Sequence, residues 1–231
     1  MKLSVFAILL VAFVAKEVAS QACHMREIDL CMAIGMFHYQ SNGVPEDEEK
    51  VEEFCETYKE VMGCMGNCSD KCLSPLQKEL VGLFAGADEP ATRLCTPGSE
   101  DRAKYLKHAA CLAEAATNDE FKAAMRDLQV SLEKIFDVPF HDRLPGLCCG
   151  LRRFNYDIDA NTERSCGAEA VEMTRYILNM LTTDLPDVIC QRFDPASDEC
   201  RAVLPPPGTP GKGAAGKSQL GRLLDTMFGN M

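Results

Sequence analysis

The residue type most able to do chemistry in this chain is cysteine: thirteen in 231 residues, at 23, 31, 55, 64, 68, 72, 95, 111, 148, 149, 166, 190 and 200. Thiolates hold metals, attack carbonyls or form disulfides. A structural zinc site wants paired C-x-x-C spacing, and no such spacing occurs. Cys64, Cys68 and Cys72 instead recur every fourth residue, which stacks them along one face of a helix, from which they can staple it to its neighbours. His24, His38, His108 and His141 lie far apart, and no H-x-x-x-H or G-x-S-x-G is present. Gly211–Ser218 matches the phosphate-loop pattern G-x-x-x-x-G-K-[ST], but that chemistry requires a strand-to-helix turn. A proline run precedes the glycines here, so the match follows from composition and no nucleotide is expected. The acids from Glu46 to Glu56 read as the solvated face of a helix, because calcium loops need carboxylates alternating in a turn with a glycine. Neither metal nor cofactor is expected.

The compartment decides what the sulfurs do. Met1-Lys2 precedes an apolar run from Leu3 to Ala15, broken only by Ser4 and ended by Lys16 and Glu17. It is too short to span a membrane, and Val18-Ala19-Ser20 supplies the small residues of a signal-peptidase site. Residues 1–20 are therefore predicted to be a signal peptide, with cleavage after Ala22 as the alternative, and the protein to be secreted and extracellular. There the default state of cysteine is the disulfide. The predicted framework comprises Cys23, Cys31, Cys55, Cys64, Cys68, Cys72, Cys95, Cys111, Cys148, Cys149, Cys166, Cys190 and Cys200. The odd count leaves one thiol, which stays buried or links two chains as a disulfide-bonded homodimer. Eight cysteines precede residue 112 and five follow residue 147. The expectation is four bridges in the first block and two in the second. Adjacent Cys148 and Cys149 should take different partners, since a bridge between neighbours is strained. Asn67-Cys68-Ser69 is an N-glycosylation sequon.

The elements that must position these residues are helical. Stripes at i, i+3, i+4 spacing place a first helix over 24–39 and a second after Pro45, with Val51, Phe54, Cys55, Tyr58, Val61 and Met62 buried. Ser74-Pro75-Leu76-Gln77 and Thr117 with Glu120 read as capping boxes. The second opens the cleanest stripe: Phe121, Ala124, Met125, Leu128, Leu132, Ile135 and Phe136. Another helix follows Thr96-Pro97-Gly98, and two more cover 146–157 and 167–183. No window of four or more residues alternates cleanly at period two. The fold class is all-α, with about seven short helices cross-linked by disulfides. Residues 21–202 form the helical domain, with subdomains 23–115 and 117–200. Residues 203–217 read as a Pro/Gly linker. Residues 218–231 form a short amphipathic tail whose Leu220, Leu223, Leu224, Met227 and Phe228 could be a partner-binding helix or rest on their own domain.

Charge excludes some functions. A net charge of −11 gives no basic surplus for phosphate, so no nucleic acid is expected, nor docking on anionic lipid. Cys148-Cys149 resembles the C-C-x-x-H of secreted phospholipases A2, but Arg152 stands at the histidine position and cannot take a proton.

Cys55, Tyr58, the Cys64–Cys68–Cys72 series, Cys95 and Lys107–Leu112 resemble the eight-cysteine helical domains of nematodes. Leu147-Cys148 through Cys166 to Cys190 resembles the insect haemolymph glycoprotein family. The resemblance implies a secreted, non-enzymatic protein acting by binding an extracellular macromolecule or as a body-fluid component. Insect odorant-binding proteins are similar in Cys64-x3-Cys68, but their later C-x8-C is missing. The alternative function is a carrier of small apolar ligands, with Met32, Met36, Phe121, Met125 and Leu128 as candidate cavity wall, although Met and Phe at helical spacing usually just pack as core.

Overall fold

The computed structural model describes residues 25–75, 78, 88–182 and 185–212. Outside them lie the expected signal peptide, Cys23, His24, most of the helix expected behind Ser74, and the tail with Leu220, Leu223, Leu224, Met227 and Phe228. The side chains of Met32 and Cys72 also fall outside. Among the described residues the fold is all-α with no strand. The helices are α1 (Met25–Asn42), α2 (Glu48–Cys72), α3 (Asp88–Leu94), α4 (Glu100–Ala115), α5 (Asp119–Ile135), α6 (Phe140–Cys166), α7 (Ala168–Thr182), α8 (Leu185–Cys190) and α9 (Asp198–Val203). No helix among them is long and apolar enough to cross a membrane.

The chain divides into two compact units, residues 1–41 with 53–83, and residues 42–52 with 84–231. Gly43, whose φ of 68° suits glycine, follows the last residue of α1. Cys64, on the cysteine face of α2, bridges to Cys31 of α1. Around that staple His38 shares a hydrogen bond with Thr57 Oγ1 at 3.0 Å, and Val61 lies beside Gly35, where an added Cβ would stand in ordinary contact at 3.6 Å.

The second unit is built on α6, which packs against α4, α5, α7, α8 and α9. The sequence places a helix over 146–157, with Pro139 ending the one before it. Pro139 is instead the N-cap, and Pro145 lies inside the helix, where it removes the amide that would otherwise bond to the His141 carbonyl. Length lets α6 gather its neighbours. Asn161, buried at 2 % exposure, donates to Ala115 O and accepts from Asn118 Nδ2 at 2.8 Å, which pins the end of α4 and the start of α5. Asn118, not Thr117, caps α5, accepting from Phe121 N. The Thr117 hydroxyl instead donates back to Glu114 O. Thr162 and Thr174 join α6 to α7.

Sulfur completes the frame. Cys148 bridges to Cys190 of α8 and Cys149 to Cys200 of α9. Neighbours on a helix point about 100° apart, which follows from 3.6 residues per turn, so the adjacent pair serves two elements. All four half-cystines are buried with Phe193 and Leu204 in one cluster. Cys111 bridges to Cys166. That bond crosses the two cysteine blocks and corrects the expected partition of bridges within them. Block counting ignores that α4 and the end of α6 lie side by side. Cys55 and Cys95 are also disulfide-bonded, and Cys68 carries a buried thiol.

Candidate functional site

Two regions of the second unit gather polar side chains, and both lie against α6. The first is the face of α5 from Asp127 to Glu133, where every residue is buried. Four of them, Asp127, Gln129, Ser131 and Glu133, are polar groups at 8 %, 6 %, 2 % and 3 % exposure. Burial of charge is costly unless donors converge on it. The donors come from residues 204–212. This stretch is non-helical, as its prolines and glycines dictate, but it is a docked strap rather than a free linker. Gly208 N donates to Asp127 Oδ1 and Lys212 N to Glu133 Oε2, both at 2.8 Å. The Lys212 ammonium pairs with Asp137. Arg153 Nη1 donates to Pro205 O at 2.9 Å, and its Nη2 reaches Ser131 Oγ at 3.2 Å. Gly211 passes so close that a Cβ there would stand 3.0 Å from Gln129 Nε2. The strap is rooted by the Cys149–Cys200 bridge just before it.

The second region is a cleft of about 750 Å³ between α6, α7 and the loop before α9. Arg152, Arg153, Asn155, Tyr156, Asp157 and Asp159 line it from α6. Arg175, Leu178 and Asn179 face it from α7, and Asp194, Pro195 and Ala196 close it from the loop. Asp159 Oδ2 is held by the Arg175 guanidinium at 2.7 Å and 2.9 Å, while its buried Oδ1 accepts no hydrogen bond. Asp194 Oδ1 caps the loop by accepting from Ala196 N. Burial pushes the Asp157 carboxyl above the usual carboxylate range; the nearby Arg153 charge opposes that and Asp127 reinforces it. Among the described residues three guanidiniums face three carboxylates, so the described lining is charge-balanced. Such a surface can orient a polar ligand. Among the described residues its lining holds no histidine, serine or cysteine.

A smaller pocket of about 220 Å³ lies between α5, α6 and α9, lined by Ile135, Val138, Val203 and Leu204 among others. Neither cavity is lined by Met36, Phe121, Met125 or Leu128. Met125 and Leu128 are buried in the core, Phe121 is half-buried on the same helix, and Met36 is half-buried on α1. Among the described residues no group of three or more His, Cys, Asp or Glu could hold a metal ion. His108 is half-buried, and His141 is exposed beside Asp142. Asn67 is exposed on α2.

The cleft residues escaped the sequence reading, which used Arg152 only to dismiss a lipase. The available signal was the density of opposite charges over Arg152–Asp159, on a segment whose cysteines and Ile158 already mark the buried side. The contributions of Arg175 and Asp194 depend on tertiary placement and left no local trace. No protein-family model, curated protein or solved structure matches the chain.

Proposed function

We propose that this is a secreted, non-enzymatic protein of an extracellular fluid such as haemolymph, and that it works by binding a polar partner in the α6–α7 cleft. The observation that carries the reading is the cleft itself: a volume within the range of ligand sites, lined by balanced charges, with half-buried side chains whose hydrogen-bonding capacity is not filled. The disulfide density supports an oxidising compartment, as does the apolar run before Lys16. The likeness in cysteine spacing to nematode eight-cysteine domains and insect haemolymph glycoproteins supports the same assignment. The apolar-carrier alternative has less support, since the described cavities are not walled by the methionines and phenylalanines it would use.

The test has two arms. Expressed with its own N-terminus in a secretory cell, the protein should appear in the medium lacking residues 1–20 by intact mass, with its bridges formed. Retention of residues 1–20, or recovery with most thiols reduced, removes the secreted reading. Uptake of a fluorescent fatty acid by delipidated protein would restore the carrier instead.

A further inference from the structure

The lining of the cleft narrows its ligand. Resting on the binding function proposed above, we infer that the cleft takes a neutral polyhydroxylated ligand, a sugar of about disaccharide size, with Asp157, Asp159, Asn155 and Asn179 holding its hydroxyls and Tyr156 receiving its apolar face.

The argument starts from unfilled valences. No described residue donates a hydrogen bond to Asp157, and Asp159 Oδ1 is buried without a donor. Carboxylate oxygens are acceptors only, so the missing complement is O–H or N–H. Ligand charge separates the two. A cation would meet Arg152, Arg153 and Arg175 along the same walls, and like charge in a half-buried site is strongly disfavoured. An anion would meet Asp157, Asp159 and Asp194 for the same reason. Balanced walls leave a neutral donor-rich molecule. Asn155 and Asn179 each offer both a donor amide and an acceptor carbonyl, the pairing that adjacent hydroxyls require, and no described residue hydrogen-bonds either side chain. Tyr156 is 66 % exposed, so its ring presents an apolar platform with a polar tip, the amphipathic form favoured in recognition sites. A purely apolar ligand would bury Asp157 and Asp159 Oδ1 unsatisfied and lose affinity accordingly.

The test uses the full chain with native bridges. Maltose and N,N′-diacetylchitobiose are the neutral probes, with glucosamine and inorganic phosphate as charged ones. Binding is followed by titration calorimetry and by saturation-transfer NMR. The expected result is saturable binding of at least one neutral disaccharide. Tyr156→Ala and Asp157→Asn should each weaken it at least roughly tenfold, the loss expected when a ring contact or a hydrogen bond to a charged group is removed, with the melting temperature not lowered. Sugar binding that survives both substitutions overturns the inference, because the sugar then sits elsewhere. Binding of glucosamine or phosphate alone, abolished by Asp157→Asn or Arg175→Ala, overturns the ligand class while leaving the cleft as a binding site. Failure of all four probes removes the sugar; unchanged signals of Tyr156 and Asn179 amides in whole body-fluid extract would remove the binding function with it.

Discussion

Asp127 and Glu133 under the strap, and Asp157 and Asp159 in the cleft, are two carboxylate pairs on adjacent helices with opposite fates. The strap pair is almost wholly buried, yet backbone amides of Gly208 and Lys212 reach it at 2.8 Å. The cleft pair is only half-buried, but one oxygen of Asp159 and the whole of Asp157 receive nothing from the described residues. Arg153 stands between them, committed to the strap through Pro205 and Ser131 while its charge faces Asp157. Depth of burial therefore does not tell the two pairs apart; satisfaction of acceptors does. A chain that fills its own acceptors builds stability, and one that leaves them open exposes a site at some cost to the fold.

The largest break in this comparison comes from unrooting the strap. Replacing Cys149 and Cys200 together by serine should cost about 2–5 kcal/mol, the usual loss for a native bridge, read as a fall in the urea midpoint. It should also open residues 204–212 to limited proteolysis, because the strap loses its fixed origin four residues upstream. If the midpoint falls but the strap stays protected, the hydrogen bonds to Asp127 and Glu133 hold it unaided, and the bridge serves only the buried sulfur cluster.

A direct contrast follows. Asp127→Ala strands the Gly208 amide and should destabilise by about 1–3 kcal/mol; Asp157→Ala should leave the midpoint unchanged or raise it. Equal losses at both positions would erase the distinction between filled and open acceptors. Gly208 sharpens the strap side further. Its φ of 77° is left-handed, so Gly208→Ala should cost about 1–2 kcal/mol through backbone strain, although no atom lies near the added methyl.

How much of this was legible depends on range. The stripe from Phe121 to Ile135 and the divergence of Cys148 from Cys149 are local consequences of helical pitch, and both could be written down from the sequence. Thr117 was mistaken for a cap because Asn118 satisfies the same rule one residue later. The long α6 was hidden by its prolines, since Pro139 is its N-cap and Pro145 lies inside it. The Cys111–Cys166 bridge and the strap were not legible at all: each pairs residues more than fifty positions apart, and composition says that Pro/Gly segments avoid helices without saying what they dock on. The cleft was half-legible, since its α6 residues are consecutive and its α7 and loop residues are not.

The smallest effect is the one that tests the cleft pair most directly, and its sign is fixed by linkage. Burial raises the Asp157 carboxyl in the folded protein, so the native state holds that proton at a pH where the unfolded chain has released it. Stability contributed by the group is present at low pH and falls as pH rises through the window between the unfolded and folded values. Asp101 behaves in the opposite way. The Arg93 side chain hydrogen-bonds its carboxylate and lowers it, so its contribution is present at neutral pH and is lost as pH falls. Asp157→Asn should therefore raise the melting temperature slightly at neutral pH, and the gain should vanish below about pH 4, where unfolded aspartate itself becomes protonated. Asp101→Asn should lower the melting temperature at neutral pH and converge with the parent only below that range, as pH falls from the unfolded aspartate value through the lowered folded one. Both side chains keep some contact with solvent, which screens their charges and keeps the effects small. An Asp157→Asn protein that melts lower at neutral pH would mean that Arg153 already satisfies this carboxylate. The cleft would then be a second strap-like contact, closed by its own side chains, with no acceptor left for a ligand.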